Sequence, residues 1–109
     1  MNDPITPADA CRTMAEVRTG VDEVDRRLIA LISERFAYMR AAARIKAARE
    51  SVRDERRKAE VIAAVRALAM EAGLPGEAIG ELWERLVEAS IAYELAEWDR
   101  VRRGPHSLP

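Results

Sequence analysis

The stretch RFAYMRAAARIK, from Arg35 to Lys46, decides how the rest of the chain is read. On a helix, eleven residues at about 100° each bring Lys46 back to within roughly 20° of Arg35, three turns and about 16 Å further along, so two cations share one face. That face is not a solvated one. Arg35 falls in the apolar series Met14, Val21, Leu28, Arg35, Ala42, where a packing residue is expected. A guanidinium on a core-facing seam needs an anionic partner. The plainest partner is an acid on another helix, which would make Arg35 half of a structural ion pair.

Outward from this stretch, the N-terminal side reads as one continuous helix. Thr13-Met14-Ala15-Glu16 is a capping box, in which the Thr hydroxyl and the Glu carboxylate each satisfy a free backbone N–H. No proline follows until Pro75. Val17, Val21, Val24, Leu28, Leu31, Ile32 and Met39 recur at threes and fours, and the alanines at 41–43 and 47–48 carry the expected helix to about Arg49. Gly20 weakens it by about 1 kcal/mol relative to alanine. About 36 residues of helix span roughly 54 Å, whereas a compact domain of this size has a radius of gyration of about 13 Å. One chain cannot cover such a seam, and a second copy packed along it as a two-fold dimer is the simplest cover. An isolated long coiled coil is the competing reading, but two more helical segments follow.

On the C-terminal side, Glu50 to Arg53 reads as a short loop and Asp54 as the N-cap of a second helix running to Ala72, with Val61, Ile62, Val65, Leu68, Ala69 and Ala72 on its apolar stripe. Gly73 ends it and Leu74-Pro75-Gly76 turns the chain. The third helix starts near Glu77 and carries Ile79, Leu82, Trp83, Leu86, Val87, Ile91, Leu95, Trp98 and Val101. Ser90 and Glu94, at i and i+4, share a face in or beside that apolar surface. The closing run RRGPHSLP reads as a disordered tail in which His106 is incidental. The expected organisation is a flexible lead over 1–12, one all-α domain of three unequal helices over 13–103, and a disordered tail over 104–109.

Composition agrees. At 109 residues the chain is a single domain near the small end for a self-sufficient core. Its 49% apolar and 34% charged residues, with few aromatics, suit a soluble helical bundle. The lone Cys11 excludes an intrachain disulfide and cannot by itself make a metal site. No apolar run exceeds five residues (Leu28 to Ile32 is one such run), too short to span a membrane, and MNDPITPADA holds no signal-peptide core, so a cytoplasmic location is expected. Nine Lys or Arg against three acids between Arg35 and Lys58 leave that segment at +6 in a chain of net charge −1, which points to a bound anion. Nucleic acid is disfavoured as that anion. The cations do not alternate with stacking aromatics, and they flank a bend instead of lining one long face.

Inward-facing Arg and Lys on a very long first helix, followed by two shorter ones, resemble the all-α AroQ class of chorismate mutases and the related isochorismate-pyruvate lyases. The likeness covers about residues 13 to 102. The family's first-helix pattern corresponds to Arg18, Asp25, Glu34-Arg35 and Lys46, and its V-R-D-x-x-R bend to Val52-Arg53-Asp54-Glu55-Arg56-Arg57. Ser90 and Glu94 stand where the mutases commonly carry Ser and Gln, while YMRAAARIKA and SIAYELAEW are closer to the lyases. The resemblance implies an intertwined homodimer with two identical sites. Helix geometry bears on this independently, because Arg18 lies about 25 Å along the axis from Arg35 and roughly 100° around it. If both hold one small dicarboxylate, Arg18 reaches into the partner's site. Otherwise Arg18 makes a surface pair with an acid such as Asp22.

The implied activity is chorismate mutase, converting chorismate to prephenate by a pericyclic rearrangement without nucleophile, metal or cofactor. The alternatives are an isochorismate-pyruvate lyase, an amino-deoxychorismate mutase, or a non-catalytic helical dimerisation module. In the enzyme readings Arg35, Arg57 and the partner chain's Arg18 clamp two carboxylates. Lys46 and Glu94 flank the ether oxygen, and Asp54, Lys58 and Ser90 complete the substrate-binding set. Two positions depart from the family. A carboxylate at 94 donates a hydrogen bond only when protonated, which predicts activity that increases as pH falls and a flatter profile for Glu94→Gln. Lys58 stands where many mutases have a Glu that accepts from the ring hydroxyl. Lysine cannot accept that bond, which leaves room for isochorismate or an amino-substituted substrate. The other reading of Lys58 is a solvated residue in the first turn of the second helix.

Overall fold

A computed structural model describes residues 4–103. The expected tail over 104–109, with His106, and the first three residues of the lead lie outside the described residues. Among those described there is no strand. Three α-helices are present, α1 (Met14–Ile45), α2 (Glu55–Glu71) and α3 (Gly76–Arg103), with short 3-10 turns at Ala8–Ala10 and Arg49–Ser51. No helix among them is long and apolar enough to cross a membrane.

The expected capping box is formed. Glu16 N–H donates to Thr13 Oγ1 at 3.2 Å, and Glu16 Oε1 accepts from the N–H groups of Thr13 (2.9 Å) and Arg12 (2.8 Å). Those backbone donors hold the Glu16 carboxyl below its ordinary range. Asp54 caps α2 by accepting the Arg57 N–H on Oδ1 at 3.0 Å. At the other end of α2, Leu74 N–H bonds Ala69 O (2.8 Å) and Gly73 N–H bonds Met70 O (3.1 Å), with Gly73 at φ 75°. This is a Schellman closure, in which the left-handed residue is the one without a Cβ.

Three sequence expectations need correction. Helix α1 stops at Ile45, not near Arg49, although Ala47 and Ala48 are strong helix formers. Its last carbonyls are taken by donors from α3, described below, so the chain turns away with Ala48 extended at φ −122°, ψ 140°. The segment read as a loop over 50–53 supplies Val52 to the core, where it is 4% exposed. Arg102 and Arg103, which open the run RRGPHSLP but fall inside the expected domain bound of 103, complete the last turn of α3, so the tail reading of that run does not hold for them.

The chain divides into two compact units after Phe36, with α1 contributing to both. In the second unit Val52, Val87 and Ile91 form the buried centre, with Val61, Trp83, Leu95 and Trp98 packed around it. The Arg66 side chain of α2 lies across Gly80 of α3, where a Cβ would collide with it. In the first unit the apolar seam of α1 is largely uncovered. Leu28 and Leu31 are 48% and 60% exposed, and Val21 and Ile29 are also exposed.

Candidate active site

Lys46 is the residue at which α1 ends. Its N–H still makes the last helical bond, to Ala42 O at 2.9 Å, while its carbonyl faces donors from α3. Trp98 Nε1 donates to Lys46 O at 3.1 Å and Arg102 Nη2 to the same oxygen at 2.6 Å, while Arg102 Nη1 reaches Ala43 O at 2.8 Å. The Arg102 guanidinium lies 4.1 Å from the centroid of the Trp98 ring. Carbonyls orphaned by the helix end are thereby satisfied, and a cation sits at the negative end of the helix dipole. Asp99, next to Trp98 on α3, accepts two bonds from Arg49 at 2.9 and 3.2 Å, which ties down the 3-10 turn that follows.

The Lys46 side chain is held by the same helix. Its Nζ lies 2.7 Å from Glu94 Oε2, with the Glu94 side chain 5% exposed and that of Lys46 30%. It also donates to Val52 O at 3.4 Å. The approach to Oε2 is off the direction of a hydrogen bond, so this buried oxygen has the ionic contact but no aligned donor among the described residues. An ammonium has three donors. With one long bond to a carbonyl and one misaligned contact to a carboxylate, Lys46 has donor capacity for an acceptor arriving from its exposed side. Ser90, one turn before Glu94, is buried and donates to Leu86 O at 2.7 Å.

Lys58 is not a solvated residue: its side chain is 15% exposed and its Nζ sits 2.6 Å from Glu84 Oε1 and 2.7 Å from Glu88 Oε2. Glu88 also receives Arg53 Nη2 at 2.8 Å and Nη1 at 3.1 Å. The Arg53 bonds, then that from Lys58, pull the Glu88 carboxyl down to about 2, while Glu84 and Glu88 raise Lys58 above its ordinary value. Arg57 projects an exposed guanidinium from α2 with only a 3.7 Å approach to Glu60. Arg18 and the half-buried Arg35 belong to the first unit. Arg18 is exposed and makes no ion pair among the described residues, so the surface pair with Asp22 is not formed. The structure thus brings Lys46 and Glu94 together, and it engages Lys58 in an α2–α3 network instead.

Sequence reasoning missed Trp98 and Arg102, which it assigned to the apolar stripe and the tail. The signal was present, because Ser90, Glu94, Trp98 and Arg102 follow one another at i+4 and form a single stripe on α3.

Residues 17–95 match the family model described as chorismate mutase type II, which is more than half of the chain. The chain belongs to that family. Within this chorismate mutase type II chain the matched span includes every candidate from Arg18 to Glu94, whereas Trp98 and Arg102 lie beyond it. The chain is also 27% identical, over 97 residues, to the isochorismate pyruvate lyase of Pseudomonas aeruginosa, an alignment that covers 89% of this chain and 95% of that protein.

Proposed function

We propose that this chain is a chorismate mutase, rearranging chorismate to prephenate as a homodimer with two identical sites. Each site combines Arg35, Lys46, Arg57, Ser90 and Glu94 of one chain with Arg18 of the other, and Asp54 serves by capping the helix that carries Arg57. The observation that carries this reading is the Lys46–Glu94 pair, buried on one side and open on the other, at 2.7 Å. In the reaction the ether C–O bond breaks as a C–C bond forms within the same molecule, and negative charge grows on the departing oxygen. The Lys46 ammonium stabilises that charge, held in place by the Glu94 carboxylate, which donates a second bond only where it takes up a proton. The arginines clamp the two carboxylates and select the compact conformer, in which the reacting carbons are close. The dimer is supported by the uncovered α1 seam, since a single exposed leucine is ordinary but a continuous helical stripe of them is not.

A second reading, isochorismate to salicylate and pyruvate, is favoured by the Pseudomonas aeruginosa relative. It is also favoured by Lys58, an ammonium engaged by two glutamates at the position where a mutase accepts from the ring hydroxyl. Purified protein given chorismate and isochorismate separately distinguishes the readings by the appearance of prephenate, or of salicylate with pyruvate. Consumption of neither would reduce the protein to a helical dimerisation module. Sedimentation should give twice the chain mass, and Leu28→Asp with Leu31→Asp should give a monomer with no activity. A fully active monomer would overturn the shared-site reading.

A further inference from the structure

We infer that Trp98 and Arg102 are positioning residues that decide where α1 stops and thereby aim the Lys46 ammonium, an inference that rests on the proposed role of Lys46. Local propensity favours a longer helix, since Ala47 and Ala48 follow Lys46 and no glycine or proline intervenes. In that longer helix the Lys46 carbonyl would accept from the N–H of Glu50. In the structure it accepts from Trp98 Nε1 and Arg102 Nη2, two donors from α3. The competition matters because of what comes next. Stopping at Ile45 lets the chain turn through Arg49–Ser51 and return Val52 to the core, where its carbonyl receives Lys46 Nζ. A helix continued through Ala48 would carry Val52 away and remove one of the two contacts that orient the ammonium.

The i+4 stripe makes this a two-ended grip. Glu94 takes the Lys46 side chain while Trp98 and Arg102, one and two turns further along α3, take its backbone. The guanidinium stacked on the indole at 4.1 Å fixes the two donors against each other. Asp99 reinforces the turn through Arg49. Because Lys46 acts on charge that develops as the ether bond breaks, loss of the grip should lower kcat and leave KM, set by the arginines, nearly unchanged.

The test compares Arg102→Ala, Arg102→Lys and Trp98→Phe, the last keeping the aromatic packing and removing only the N–H. Arg102→Ala should lower kcat about 10- to 100-fold at nearly constant KM, the scale expected when a reacting group is misplaced by about 1 Å. Arg102→Lys, which can still reach one carbonyl, should recover part of it, and Trp98→Phe should fall between that variant and the wild type. In a Lys46→Ala background, Arg102→Ala should cost nothing further in kcat. A variant that melts earlier but keeps wild-type kcat per folded molecule, or one whose effect is undiminished in that background, overturns the inference. NMR of the Lys46 side chain provides a readout independent of substrate. Its ε-methylene signals should shift in Arg102→Ala, and unchanged signals would sink the positioning role. If the wild type turns over neither substrate, the proposed function fails while these signals still decide the inference.

Discussion

Two glutamates on α3, Glu88 and Glu94, each meet a lysine from an earlier part of the chain at 2.7 Å, and the two junctions differ in burial and in their further partners. Six residues put the carboxylates roughly 120° apart around the helix and about 9 Å along it. Glu88 is 40% exposed and is held by Lys58 and by two bonds from Arg53, with Glu84 on the far side of Lys58. Glu94 is almost wholly buried, meets Lys46, and among the described residues keeps an oxygen without an aligned donor. A partly exposed network in which Lys58 and Glu88 each already have more than one opposite partner gains little from any further ligand. A buried, under-coordinated pair is held ready for one, because the desolvation of its carboxylate is compensated by the fold and its ammonium still has donors to offer.

This contrast can be broken or sharpened at each junction. The largest effect is expected at the buried one. Lys46→Ala should lower kcat by about 10³-fold, the scale of losing a donor at the developing oxyanion. It should also destabilise the fold by about 3 kcal/mol, since it strands a buried carboxylate. Steady-state kinetics and denaturant melts read both, and a near-wild-type kcat would remove the basis for separating the two glutamates. Glu94→Ala should follow with a loss of about 10²-fold. Glu94→Gln should keep the activity, with a rate that stays level from acid to mildly alkaline pH where the wild type is faster in acid. A wild-type profile already level would mean that Glu94 does not donate.

The smallest effect belongs to the exposed junction. Glu88→Gln should leave kcat/KM within about twofold of wild type. Its consequence is a matter of stability and pH. The folded Glu88 carboxyl titrates at about 2 against an ordinary 4.5, so between those values the unfolded chain binds more protons. The stabilisation is therefore complete above about 4.5 and is lost as the pH falls towards 2. The melting temperature of Glu88→Gln should lie below that of the wild type near neutrality and converge with it in acid. A gap that persisted undiminished at pH 2 would contradict the assignment of the shift to Arg53 and Lys58.

Much of the fold was legible because its punctuation is local. The Thr13–Glu16 box, the Asp54 cap and the Gly73 stop each involve groups within a few residues of one another, and all three appear where the pattern put them. The Lys46–Glu94 pairing was legible only through likeness to a family, since the two lie on different elements. What stayed hidden was long-range. Nothing near Ala47 announces that α1 ends at Ile45, because the deciding donors are Trp98 and Arg102, more than fifty residues on. The partners of Lys58 were hidden for the same reason, and a lysine read as either solvated or substrate-facing lies instead between two glutamates of α3.

By itself, then, the order of residues determined which segments are helical, where two of the three helices begin, and that one apolar seam is too long for a single chain to cover. Those are consequences of periodicity, capping and length, all of which act over a few residues at a time. Only the tertiary structure decided where the first helix stops, that Val52 is core, and that one lysine meets a single buried carboxylate while another sits between two more exposed ones. Each of those depends on which side chains of α3 arrive opposite a given carbonyl or ammonium, a matter of packing that no local propensity encodes.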